Sequence, residues 1–178
     1  DFTEEAQISA QLQHPGIVPI YEFNTLDNGV MYFTMKEVEG RTLQEIISRV
    51  HTVSDSGEWR STKDGWNLRR MVNAFQSICE TMAYAHSRGV IHRDLKPSNI
   101  MIGEFGEVLV LDWGIAKILH RQGNMVETTR SKLGVTESDG TVIGTPMYMS
   151  PEQAWGEIDL IDERSDVYSL GVILYHIL

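Results

Sequence analysis

Eight residues beginning at His92, HRDLKPSN, set an acid, a base and an amide close together around a proline. Their chemical abilities differ. Asp94 can accept a proton, Lys96 can hold a point charge against a phosphate, and Asn99 offers a neutral oxygen to a hard cation. Solubility would explain a polar loop, but not three side chains suited to a proton, an anion and a cation in fixed order.

Something must hold such a loop in place, and the flanking sequence supplies it. From Asn67 to Ser87 the residues Leu68, Met71, Val72, Phe75, Ile78, Cys79, Met82 and Ala83 trace a helical stripe that Gly89 stops. After the loop, NIMI and EVLVLD read as a strand pair around the turn GEFGE. The chain opens on an amphipathic helix, DFTEEAQISAQLQ, ending before HPG. Two strands follow, IVPIYEF and VMYFTMKEV, joined by a tight turn at Asn28-Gly29. A helix around TLQEIISRV leads into a polar stretch, His51 to Gly65, expected to be an exposed insertion. Beyond Asp112 the chain runs about thirty residues with little periodicity, as functional loops do. A last helix is expected from Asp162 to the end.

The 178 residues suit one domain or part of a larger one, and 42% hydrophobic residues are enough for a core. A net charge of −10 argues against nucleic acid or an anionic membrane as the main partner. Cys79 is the single cysteine; it excludes an internal disulfide, fits a reducing compartment and lies in the apolar stripe as a small core residue. The acidic start is unlike a signal peptide, and the apolar tail VYSLGVILYHIL is too short for a bilayer span.

HRDLKPSN and, thirteen positions after Asn99, the triplet DWG resemble the catalytic loop and metal-binding triplet of protein kinases. EEAQISAQLQHPGIV is similar to the regulatory helix and its exit. MKEVEG is similar to the hinge, GTPMYMSPE to the substrate-docking segment, and DVYSLGVIL to the buried helix after it. The resemblance spans essentially the whole chain. It implies an α+β, two-lobed kinase-like fold, truncated, with a mostly helical C-lobe. Residues 1–35 would be the remnant of the N-lobe, with a regulatory helix and two strands, and 36–178 the hinge and C-lobe.

The resemblance also implies roles. Asp94 would orient a substrate hydroxyl and take its proton, Lys96 would neutralise the transferring phosphoryl group, and Asn99 and Asp112 would hold Mg²⁺, or Mn²⁺ in its place. Lys96 and Thr145 point to the serine/threonine type. Glu5 would pair with the ATP-binding lysine, Met35 would be the gatekeeper behind the adenine, Lys36 and Val38 would offer hinge backbone groups, and Met101 would floor the adenine. Asp166 would tie the last helix to the catalytic-loop backbone, and His92 would pack rather than catalyse. Arg93 implies activation by a phosphate on the following loop, with Thr141 as the phosphosite and Lys117 as a second basic contact.

The sequence departs from the family at Trp113, where Phe is usual; DWG, HPGIVPIYEF and YMSPEQA are similar to bacterial members. The glycine-rich loop and the strand lysine would precede Asp1, and the arginine that partners Glu152 would follow Leu178. The expected function is ATP-dependent phosphorylation of protein Ser or Thr residues in signalling, from a cytoplasmic domain. The truncated chain alone would be inactive, and its parent could be membrane-anchored. A pseudokinase scaffold is the alternative. It gives no use for Asp94, Lys96, Asn99 and Asp112 together. A glycosidase built on Asp94 and Asp112 explains neither Lys96 nor Asn99.

Overall fold

The computed structural model describes residues 2–54, 58–113, 116–118 and 144–178, with side chains from 6 onward and without that of Lys117. The long apolar stripe forms helix α3, Leu68–Ser87, whose core face is Met71, Ala74, Ile78, Thr81, Met82 and Ala85. The Asn67 side chain caps it, accepting the Arg70 N–H at 3.0 Å. Gly89, at φ 75°, turns the chain out of the helix in a conformation that favours glycine.

Against α3 packs the last long helix, Glu163–Ile177, with Asp162 as its N-cap. Ser165, Asp166, Ser169, Leu170, Ile173 and Ile177 are buried along one stripe. Ile173 and Ile177 are fully buried, each worth about 1.5–3 kcal/mol. Helix α2, Leu43–Val53, starts from a capping box in which Thr42 and Glu45 each bond the other's backbone N–H. It adds Leu43, Ile46, Ile47 and Val50 to the same core.

The strands are short. β1 (Ile20–Thr25) and β2 (Met31–Met35) form an antiparallel hairpin after helix α1, Phe2–Gln11. β3 (Gly40–Thr42), β5 (Ile100–Gly103) and β6 (Val108–Val110) form a three-stranded antiparallel sheet in the order β3-β5-β6. β4 (Val90–Ile91) pairs with β7 (Lys117–Ile118). The loop that carries Asp94 is therefore strung between β4 and β5, a strand anchoring each end. Gly16 accepts the Val110 N–H at 2.8 Å, joining the segment after α1 to the end of β6.

The stretch from His51 to Gly65 is exposed over most of its described residues, as expected, but it is tied to the fold at three places. α2 runs through Val53, Thr62 is buried with its hydroxyl accepting the Trp66 N–H at 2.8 Å, and Asp64 pairs with Arg41. Trp66 is buried beneath the Arg70 guanidinium, 4.3 Å from its ring centroid. Met35, the expected gatekeeper, is 54% exposed at the end of β2, which among the described residues pairs with β1 alone. Among the described residues no helix is long and apolar enough to cross a membrane.

Candidate active site

A buried carboxylate organises the loop from below. Asp166 is fully buried and accepts the His92 N–H and the Arg93 N–H, both at 2.9 Å. Its Oδ2 also lies 2.7 Å from His86 Nε2 on the last turn of α3. A carboxylate without such donors would be too costly to bury. Arg93 takes φ 70°, a left-handed conformation costing a non-glycine residue of order 1–3 kcal/mol unless its surroundings hold it. The next residue, Asp94, is 9% exposed.

At Asp94 four donors converge. Oδ1 accepts the Thr145 N–H at 2.8 Å and the Thr145 hydroxyl at 2.6 Å. Oδ2 accepts Lys96 Nζ at 2.6 Å and, weakly, Asn99 Nδ2 at 3.4 Å. Lys96 Nζ also donates to the Thr145 hydroxyl at 2.7 Å, closing a three-membered network. Burial alone would raise the Asp94 carboxyl, but the hydrogen bonds from Lys96 and Thr145 and the Lys96 charge outweigh it. The carboxyl lies below the ordinary range, so Asp94 is an anion at neutral pH. A hydroxyl approaching it has the long Asn99 contact to displace.

Asn99 ends a 3-10 turn, Pro97–Asn99, and its Nδ2 donates to the Asp94 carbonyl at 3.0 Å. With its nitrogen so engaged, its Oδ1 is the amide atom left to face a cation. The Asn99 carbonyl accepts the Leu111 N–H at 2.8 Å, which brings Asp112, the next residue, alongside. Asp112 is exposed at φ 64°. An amide oxygen and a carboxylate are hard donors that suit Mg²⁺, an ion needing only one or two protein ligands when it also binds phosphates. Among the described residues no cluster of three or more His, Cys, Asp or Glu forms a site for a metal held by protein alone.

His92 has neither an open nitrogen nor solvent. It is fully buried, Nε2 lies 3.0 Å from the Leu111 carbonyl, and Nδ1 accepts the Asp94 N–H at 3.3 Å. Its ring meets that of Trp113 at 4.7 Å, and Trp113 donates its indole N–H to the Val110 carbonyl at 3.2 Å. The histidine is packing and scaffold.

The other expected residues are less gathered. Met101 is half-buried on β5, its neighbours Ile100 and Ile102 turned into the core. Lys36 and Val38 line a cavity of about 320 Å³ with Leu109 and Phe105, and Met101 does not line it. The Lys36 N–H is donated to the Pro19 carbonyl at 3.2 Å. Glu5 lies in α1 and Lys117 in β7, but both side chains and the whole of Thr141 fall outside the described residues. Arg93 is 5% exposed. Glu152 accepts the Ser165 hydroxyl. Burial would raise its carboxyl, and the hydroxyls of Ser165 and Ser150 overcome that and hold it low.

Two residues of the site were not foreseen. His86 is the penultimate residue of α3, and a polar residue there reads as a helix terminus. Gln153 has the Ser150-x-x-Gln153 spacing of a capping box, which signals the start of helix α4, Pro151–Trp155. Its other bond, from Nε2 to the Arg93 carbonyl at 2.7 Å, spans sixty positions and leaves no local trace.

Comparison with known proteins agrees with this geometry. The family model described as "Protein kinase domain" matches residues 1–178. The chain is 43% identical over 185 residues to the serine/threonine-protein kinase PknD of Protochlamydia amoebophila, covering 99% of this chain and 18% of that protein. It is 37% identical over 182 residues to PknD of Chlamydia felis, with 99% and 19% covered. Against PknD of Chlamydia trachomatis serovar D the figures are 36% over 187 residues, with 99% and 20% covered. The chain thus spans about a fifth of the length of the curated relatives it matches.

Proposed function

The chain belongs to the protein kinase family, and on that premise we propose that it carries the catalytic centre of a serine/threonine kinase. Its parent transfers the γ-phosphoryl group of ATP to Ser or Thr hydroxyls of protein substrates. The observation that carries the reading is Lys96, bonded at once to the Asp94 carboxylate and the Thr145 hydroxyl.

Bound ATP with Mg²⁺ supplies the transferable group. Asn99 through Oδ1 and Asp112 through its carboxylate are the residues to hold the cation. Asp94 accepts a hydrogen bond from the substrate hydroxyl and receives its proton as the hydroxyl oxygen bonds to the γ-phosphorus. The bond from that phosphorus to the β–γ bridging oxygen breaks, and ADP leaves. Lys96 neutralises charge on the phosphoryl oxygens, and Thr145 holds Asp94 in line. Such catalysis rests on positioning and charge rather than covalent help. Lys36 and Val38 present backbone groups to the adenine and Met101 its floor, Glu5 binds the lysine that reaches the phosphates, and Thr141, once phosphorylated, binds Arg93 and Lys117.

The test uses the parent kinase, a peptide bearing one Ser or Thr, and labelled ATP. Asp94→Asn is expected to lower the transfer rate by about 10²–10⁴-fold with the circular dichroism spectrum unchanged. Asp112→Asn should do so with loss of the Mg²⁺ dependence. Parental rates in both variants would overturn the assignment.

A further inference from the structure

We propose that Gln153 is a positioning residue for catalysis, fixing the peptide that carries Asp94; the inference rests on the kinase reading above. Arg93 stands at φ 70° immediately before the catalytic acid. Two peptide planes flank its α-carbon. The plane before it is held by Asp166, which accepts the Arg93 N–H at 2.9 Å from the last long helix. The plane after it is held by Gln153, which donates Nε2–H to the Arg93 carbonyl at 2.7 Å from α4. Fixing the first plane and the second fixes φ and ψ between them, so the conformation is over-determined, as a left-handed non-glycine residue requires. The second plane also contains the Asp94 nitrogen. Its tilt therefore sets where the Asp94 carboxylate points.

The bond is built rather than incidental. Gln153 is 1% exposed, and a hydrogen bond out of water constrains more tightly than one at the surface. Its Oε1 accepts the Ser150 N–H and hydroxyl, both at 3.2 Å, which orients the amide so that Nε2 faces Arg93. Gly144, at φ 128°, passes so close that a β-carbon there would lie 3.0 Å from the Arg93 carbonyl and 3.5 Å from Gln153 Nε2. A β-carbon would crowd that carbonyl, and the positive φ also favours glycine there. Gln153 thereby ties the placement of α4 to the aim of the catalytic acid, from the same segment whose Thr145 reaches Asp94 directly.

The parent kinase carrying Gln153→Met or Gln153→Glu tests this. Methionine keeps the volume and removes the donor; kcat should fall about ten- to hundredfold with KM for ATP within twofold of parental, as misplacement of a catalytic group predicts. Glutamate keeps the acceptor for Ser150 but sets a carboxylate against the Arg93 carbonyl. Buried at this site its pKa is raised, so as pH falls it protonates, becomes a donor again, and the variant's rate relative to parental should climb. A role confined to stability would not produce that profile. Parental kcat for Gln153→Met, or a relative rate for Gln153→Glu that is flat with pH, overturns the proposal. Amide exchange at Arg93 and Asp94 separates the two readings: Gln153→Met should speed it whether or not the protein proves to be a kinase, and unchanged exchange overturns the clamp. If Asp94→Asn keeps the parental transfer rate while exchange responds as stated, the kinase reading fails and the clamp stands.

Discussion

Thr145 gives two hydrogen bonds to a single oxygen of Asp94, the N–H at 2.8 Å and the hydroxyl at 2.6 Å, both to Oδ1. The backbone bond survives any substitution but proline, so the hydroxyl can be tested alone. It is also the atom through which Lys96 reaches Asp94 a second way. Thr145→Val keeps shape and removes it. A hydrogen bond to a charged group is worth about 1.5–3 kcal/mol, so kcat should fall roughly ten- to hundredfold, while Thr145→Ser should stay near parental. Steady-state kinetics on a peptide substrate would decide, and equal rates for Val and Ser would remove the hydroxyl from the network.

The depressed Asp94 carboxyl makes a prediction about acid. Burial opposes ionisation there, and Lys96 and Thr145 overcome it. A carboxylate whose folded pKa lies below its unfolded value, about 3.9, contributes stability that is complete above that value. The contribution fades as pH falls through the folded pKa. Urea titrations of parental protein and Asp94→Asn should therefore show a stability gap that is constant from pH 7 to about 5 and narrows below about 4. A gap that widens on acidification would reverse the sign of the shift.

Much of this arrangement was legible in the sequence, and the remainder has physical reasons. Periodicity located α3 and the last long helix, because burial of one face writes a 3.6-residue pattern. Motif spacing brought Asp94, Lys96 and Asn99 together, because eight consecutive residues cannot separate far. Asp166 was legible as a buried acid through the family resemblance, and burial of its charge demands the partners found. The exposure of Met35 was not legible, because it depends on which strands neighbour β2 and no local pattern records that. The burial of Thr62 inside a stretch expected to be exposed was not legible, because it depends on the bond to Trp66, which lies under Arg70. Gln153 was invisible because its partner is a backbone carbonyl, which every residue possesses.

Cys79 offers a simple check on the core. It lies on α3, half-buried against the apolar cluster, and burial pushes its thiol up. The thiolate is the reactive form. At pH 7.5 the folded protein should react with iodoacetamide several-fold more slowly than free cysteine, and urea should abolish the difference. Reaction at the free-cysteine rate in the native state would place the sulfur outside the core.

Asp166 joins three elements through one carboxylate: its own helix, the catalytic loop through two N–H groups, and α3 through His86. Removing it leaves two buried donors without their acceptor and an imidazole without its partner. Asp166→Ala should therefore cost about 3–5 kcal/mol, the range for breaking a buried pair. Asp166→Asn, which keeps one acceptor oxygen but turns an NH₂ toward a donor, should cost less and still disturb the loop. His86→Ala removes only the α3 arm. Because both residues share one network, the Asp166→Asn/His86→Ala cycle should show a coupling of about 0.5–3 kcal/mol. Denaturant unfolding of the four proteins measures it. Additive losses would mean that the 2.7 Å contact from His86 contributes nothing to holding the loop, leaving that task to the two backbone bonds alone.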